Sequence, residues 1–271
     1  MPQHLNSVLA GRLGLPFRLG STSFVLPDHV VPNVEWLAGK VDDIQLLFLE
    51  TEGDLPDAQQ VERLCQLATL FGHSYTVHLP TILTTEGSRQ RNRMDGMVRI
   101  IKLALPVKPL GWVVHVAPAP PSDDVERKTW RKAATALIHE LADSSGIPVG
   151  SLQVENQGDA DVAAHVELAQ ESGASLCLDL GHILREHGDA LAHLAKHLPL
   201  SAHLHVHGVA DRDHRSLVHF PALPGLLELL VQRSFTGVFT IEVFGVEPFE
   251  TSLAAVLAAR GRQPQDARSA P

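Results

Sequence analysis

Eight short apolar runs recur along the chain, with longer amphipathic stretches between them. They occupy residues 18–24, 42–50, 74–80, 111–117, 150–156, 174–182, 201–208 and 237–244. Most are near-continuously apolar, as expected of strands buried on both faces of a parallel sheet. Parallel neighbours need a crossover between them, usually a helix. Residues 57–72 supply one: Val61, Leu64, Leu67 and Ala68 form one stripe, and Gly72 is placed to stop it. Asp57 with Gln60, and Asp123 with Glu126, have the spacing of a capping box. Residues 166–173, 191–198, 223–234 and 250–261 carry later helical patterns. Strand–helix alternation repeated in this way predicts an α/β fold, a single (β/α)8 TIM barrel. Residues 1–17 read as a lead-in segment, 18–260 as the barrel, and the polar stretch 261–271 as a disordered tail.

Several classes are disfavoured at once. No apolar run reaches the roughly 18 residues of a membrane-spanning helix, and the N-terminus lacks a basic segment leading into an apolar core. Cys65 and Cys177 are the two cysteines, with no CxxC and no disulfide framework. The expectation is a reduced, soluble, cytoplasmic protein with no membrane partner. Lys and Arg number 22 against 31 Asp and Glu, a net charge of −9. That balance argues against a nucleic-acid partner, because such binding depends on basic residues neutralising phosphates. Against one tyrosine and three methionines stand 16 histidines.

Those histidines are not scattered. His78, His115, Glu155, Asp179, His205 and Glu242 each fall near the C-terminal end of a predicted strand, 24 to 40 residues apart. In a TIM barrel that end carries the active site. Residues i and i+2 of a strand share a face. Thr76 therefore lies on the side of His78, Gln153 with Glu155, Cys177 with Asp179, and Thr240 with Glu242. Val77, Val154, Leu178, Ile241 and Val243 occupy the other side and suit packing against helices. A single strand histidine is usually a satisfied buried histidine. Six successive strands each giving an inward position to His, Asp or Glu is a different matter, since every unpaired buried ion costs several kcal/mol. A cation resolves that cost. Loop residues extend the set: His182 three after Asp179, His207 on the face of His205, then Asp211, Asp213 and His214. Glu50 ends the second run and reads equally as a substrate or metal contact or as a solvated loop acid. Histidine and carboxylate without thiolate suit Zn, or Mn, Fe(II) or Co. The donors outnumber what one ion uses, so the reading is two ions, which is phosphoester chemistry.

The order His78, His115, Glu155, Asp179–His182, His205, Asp213–His214 and Glu242 resembles the xylose-isomerase-like barrel superfamily, which includes endonuclease IV and many sugar isomerases and epimerases. By that resemblance His78 and His115 hold one metal with Glu155 bridging. Asp179, His205 and Glu242 complete a second. His182 and His214, with Asp213 or Asp211, hold a third in endonuclease IV-type members. The chain departs there: it reads Asp213–His214 directly where that family has Asp-x-His.

A narrower set of motifs is similar to the cobamide-remodelling phosphodiesterases. It comprises LPFRLGSTSFVLPDHVVPNV, LLFLE ending at Glu50, YTVHLPT, VENQ, CLDLGHIL, HLHVHGV and IEVF. The resemblance implies hydrolysis of the nucleotide loop of coenzyme-form cobamides to adenosylcobinamide phosphate and an α-riboside. Glu155 and Glu242 would anchor the metals, and His182, His207 or His214 would pass a proton to the departing ribosyl oxygen. Glu50 and His207 are the expected substrate contacts, and loops 81–95, 118–123 and 208–220 the rim of an open mouth. The alternative is a metal-dependent sugar isomerase or epimerase, which needs only Glu155, Asp179, His205 and Glu242 and one ion. An abasic-site endonuclease sits poorly with the net charge, and a non-catalytic corrinoid or metal carrier would bind without turnover.

Overall fold

The computed structural model describes residues 13–48, 55–84, 90–117 and 121–261. Its eight strands are all parallel and close into a barrel in sequence order. They are β1 Arg18–Thr22, β2 Asp43–Leu47, β3 Ser74–Thr84, β4 Trp112–Ala117, β5 Leu152–Glu155, β6 Ser175–Asp179, β7 Ser201–Val206 and β8 Val238–Ile241. Closure is made by β1 on β8, from Arg18 opposite Val238 to Ser21 opposite Ile241. Around them lie α1 Val30–Leu37, α2 Ala58–Phe71, α3 Gln90–Ala104, α4 Asp124–Ser145, α5 Val162–Ser172, α6 Leu180–Arg185, α7 Ala190–His197, α8 Leu223–Gln232 and α9 Val246–Gly261.

The punctuation read from the sequence forms as expected at α2. Asp57 and Gln60 make a reciprocal capping box, and Gly72 ends the helix at φ 75°, in the left-handed region that favours glycine. At α4 the Asp123 carboxylate accepts from the Val125 and Glu126 amides. One boundary differs. β3 runs to Thr84, beyond the expected 74–80, because a register shift after His78 lets Ile82 and Leu83 pair with His115 and Val116. Part of the expected rim 81–95 is therefore strand and helix. Residues 85–89 and 118–120, the expected tail 262–271, the lead-in 1–12 and Glu50 lie outside the described residues.

Strand alternation sorts side chains as the pattern required. Val77, Val154, Leu178, Ile241 and Val243 are fully buried between the sheet and the helices. Burying each such side chain is worth about 1.5–3 kcal/mol. Tyr75, on the same outward face, donates its hydroxyl to the Leu64 carbonyl of α2 at 2.8 Å. The inward face is polar. Asp43, Gln45, Thr76, Gln153, His203 and Thr240 are all buried in the lumen, where bulky branched side chains are usual. Asp43 accepts from Ser74 at 2.6 Å and from Thr76 at 2.7 Å. His203 spans Gln153 at 3.0 Å and Thr240 at 2.7 Å. This bonded floor lies one inward position below the strand-end residues.

Candidate metal centre

Directly above the floor, the strands from β3 to β8 deliver histidines and carboxylates to a set of overlapping clusters. Glu155, the last residue of β5, is the hub. Its Oε2 lies 2.7 Å from His115 Nε2 and 3.2 Å from His78 Nε2. Its Oε1 lies 2.8 Å from His205 Nδ1, which is also 3.4 Å from Glu242 Oε2. His78, Glu155, His205 and Glu242 thus bring ligand atoms within 4.8 Å of one another.

Asp179 has two tasks. As the residue before α6 it accepts from the His182 amide at 2.7 Å, satisfying an orphan donor of the helix. Its other oxygen lies 2.9 Å from His182 Nδ1. The first turn of α6 carries His182 back over the barrel mouth. Gly181 permits the next contact: a Cβ there would collide with the His207 imidazole. His182, His207 and His214 form a further group with ligand atoms within 4.8 Å. His214 is held at φ 51°, a region rare for non-glycine residues. Its amide donates to His207 Nδ1 at 3.0 Å. Strain of this kind, of order 1–3 kcal/mol, gathers at functional sites.

Asp213, expected as a ligand, is not brought to these groups. Its carboxylate sits on Arg185 of α6 at 2.9 Å, because the loop turns it outward while His214 turns in. The other loop acid, Asp211, is gripped through both oxygens by Arg215. The third donor beside His182 and His214 is His207, a residue read from the sequence as a substrate or proton-relay group.

The electrostatics follow from crowding. Burial raises Glu155, but His205 and His115 outweigh it and hold the carboxyl well below the ordinary range. Glu242 is pushed up to about 8, by burial and by the nearby Asp179 and Glu155 carboxylates. Burial lowers His182, yet Asp179 carries it up to about 9. His214 is pulled down to about 4 by burial and by His207, and burial also lowers His207. Both are therefore neutral near pH 7, and His207 has a lone pair to give at Nε2 in the tautomer whose Nδ1–H donates to the Gly208 carbonyl at 3.2 Å. Cys177 is driven by burial up to about 12, so its thiol stays protonated and the donor set is histidine and carboxylate.

Four buried polar atoms meet here with no well-formed hydrogen bond, Asp179 Oδ2, His182 Nδ1, His207 Nε2 and Glu242 Oε2, although the first two face each other at 2.9 Å. Natural interiors rarely leave such atoms unsatisfied. All four belong to donor groups that ligate divalent transition metals. The residues fit a divalent cation, and their number fits more than one.

The model of the xylose isomerase-like TIM barrel family matches residues 39–263. The chain belongs to that family. No curated protein sequence matches it significantly. Among solved structures, a D-tagatose 3-epimerase-like protein superposes with a TM-score of 0.71 at 18% identity, covering 90% of this chain and 97% of that one. Endonuclease IV from Thermus thermophilus gives 0.68 at 18% identity, covering 91% and 100%. The 3-keto-D-glucoside 4-epimerase from E. coli gives 0.66 at 16%, covering 90% and 99%. At these identities the superpositions speak to the fold. No helix among the described residues is long and apolar enough to cross a membrane.

Sequence reasoning passed over three supporting residues. Gln45 of β2 reaches His205 Nε2 at 2.8 Å. His203 braces the floor. Asn156 bonds both the amide and the carbonyl of Asp179, at 2.8 and 3.0 Å, locking the ends of β5 and β6 together. Inward alternation from Asp43 pointed to Gln45, and from His205 to His203. Asn156 had no signal beyond its place after Glu155.

Proposed function

We propose that this chain is a metal-dependent phosphodiesterase acting on the nucleotide loop of coenzyme-form cobamides. Its products are adenosylcobinamide phosphate and an α-riboside. One observation carries the reaction class: His78 and His115 both address Glu155, which also faces His205, itself beside Glu242, and a one-metal isomerase has no use for the first two. Glu155 would then serve two cation positions, and His182, His207 and His214 would offer a third group of donors. Bound divalent cations, Zn first among them, supply an activated water and stabilise charge on the phosphoryl oxygens.

The protein's own groups do the rest. Glu155 and Glu242 fix the cations, and Asn156 and the α6 amides hold Asp179 in line. Water adds to phosphorus as the bond to the ribosyl oxygen breaks, and that oxygen takes a proton. His182, carried up to about 9 by Asp179 and lying at the rim, is the group placed to give it whenever it is not itself holding a cation. The cobamide substrate rests on the sequence motifs, above all the GSTSF–LPDHVVPN opening and the HLHVHGV strand. Incubating metal-loaded protein with adenosylcobalamin, and identifying products by mass, tests the proposal. Adenosylcobinamide phosphate with α-ribazole supports it; untouched cobamide overturns it.

A sugar epimerase is the second reading, favoured by Glu155, His205 and Glu242 at one point, with Asp179 close to Glu155 and to Glu242, and by the epimerase-like protein among the superposed structures. Ketose interconversion by protein carrying one equivalent of metal, with no phosphodiester cleaved, selects it.

A further inference from the structure

We infer that Gln45 is a positioning residue that commits His205 to metal binding through Nδ1. His205 is fully buried, and its two ring nitrogens face different surroundings. Nδ1 looks into the carboxylates, 2.8 Å from Glu155 and 3.4 Å from Glu242. Nε2 looks across the lumen to Gln45, 2.8 Å away. A histidine that ligates through one nitrogen carries its proton on the other, and the group accepting that proton's hydrogen bond sets which nitrogen is which.

Gln45 meets this need after a half-turn of its amide. As placed, its nitrogen faces His205 Nε2, and its Oε1 is buried with no partner. The half-turn exchanges oxygen and nitrogen at no change in shape. Oε1 then accepts from the Nε2–H, the orphan acceptor is satisfied, and Nδ1 is left with its lone pair toward Glu155 and Glu242. The backbone holds the geometry. Gln45 is fully buried on β2, in register with Thr22 of β1 and Thr76 of β3.

The inference rests on the metal centre and not on the substrate. A chain that interconverts sugars would need Gln45 in the same way, so failure of the cobamide reading leaves this test standing. The experiment compares wild type with Gln45→Met and Gln45→Glu, each stripped of metal. Zinc is titrated in competition with a chromophoric chelator, and histidine-ring 15N signals are recorded on the loaded protein, with His205 assigned by its loss in His205→Gln. In loaded wild type, His205 carries its proton on Nε2 and metal on Nδ1. Gln45→Met, which keeps the volume but offers no comparable acceptor, loses about 10–100-fold in zinc affinity, whereas Gln45→Glu stays within about threefold of wild type. Metal on Nε2 of His205 overturns the inference, as does unchanged affinity in Gln45→Met. If Gln45→Met fails to fold, Gln45→Glu decides: a shift of the His205 Nε2 signal in that variant supports the inference, and an unmoved signal overturns it.

Discussion

The floor and the mouth of this barrel are built from the same residue types, yet they end in opposite states. On the floor, Asp43 is bonded to Ser74 and Thr76, and His203 to Gln153 and Thr240. One inward position higher, Asp179, His182, His207 and Glu242 each keep a buried polar atom that no well-formed hydrogen bond satisfies. The floor has hydroxyls and amides, which donate or accept as the neighbour requires. The mouth has only histidines and carboxylates packed around a point, and no rotation satisfies them all. Burying polar groups in the floor is a structural solution; in the mouth the same burial leaves charge preferences that suit cations.

That contrast breaks most sharply at Glu155. Glu155→Gln nearly conserves volume but removes the shared charge. We expect turnover to fall by at least about 10²-fold, beyond the usual cost of disturbing an outer partner, while circular dichroism is unchanged. Elemental analysis should show fewer bound metal equivalents. Activity within threefold of wild type would remove Glu155 from the hub.

The floor should answer in stability instead. His203→Leu leaves Gln153 and Thr240 without their shared partner, at a cost of about 2–4 kcal/mol in urea unfolding. Metal stoichiometry of the folded fraction should hold. Lost metal with unchanged stability would reverse the roles of the two layers.

Protons sharpen the comparison next. In the metal-free mouth Glu242 sits at about 8 and His182 at about 9, so both hold protons near pH 7. Ligands must shed protons to bind, so metal affinity should rise as pH is raised from 6 toward 9. Calorimetry in buffers of different ionisation enthalpy should register proton release at pH 7. Affinity that falls over this range would contradict the ligand roles of both groups.

Asp43 is the floor's counterpart. Burial raises its pKa from the ordinary 3.8 to about 6, against the pull of Ser74 and Thr76. The native state therefore holds this proton more tightly than the unfolded chain does. The contribution is present below about 4, is lost as pH rises to about 6, and is flat above. It amounts to about 2–3 kcal/mol. Asp43→Asn should gain stability relative to wild type across that window. Parallel wild-type and variant curves would deny the shift.

The smallest effect belongs to Asp213. Its partly exposed pair with Arg185 is worth about 0–1 kcal/mol, and Asp213→Asn should leave metal content unchanged. Loss of an equivalent would restore it as a ligand.

Much of this was legible in the sequence because the signals are periodic. Buried parallel strands must be apolar on their outward faces, so eight such runs with amphipathic spacers imply the barrel. Period-two alternation then orients His78, Glu155, Asp179, His205 and Glu242 inward without any knowledge of distance. Asp57, Gln60 and Gly72 act within a few residues of their own positions, and their effects are readable locally. Gln45 and His205 are 160 positions apart and meet only because β2 and β7 face across a closed lumen.

What the chain's order alone determined, then, is the class of fold and the residue type at each inward strand end, since both follow from backbone periodicity and local steric preference. Tertiary structure decided which donors share a point. His207 entered the third group where Asp213 was expected, because Arg185 draws the carboxylate outward and Gly181 leaves room for an imidazole. Arg185 belongs to α6 and Asp213 to the loop after β7, and a contest between two partners is settled by distances that the linear order of residues does not contain.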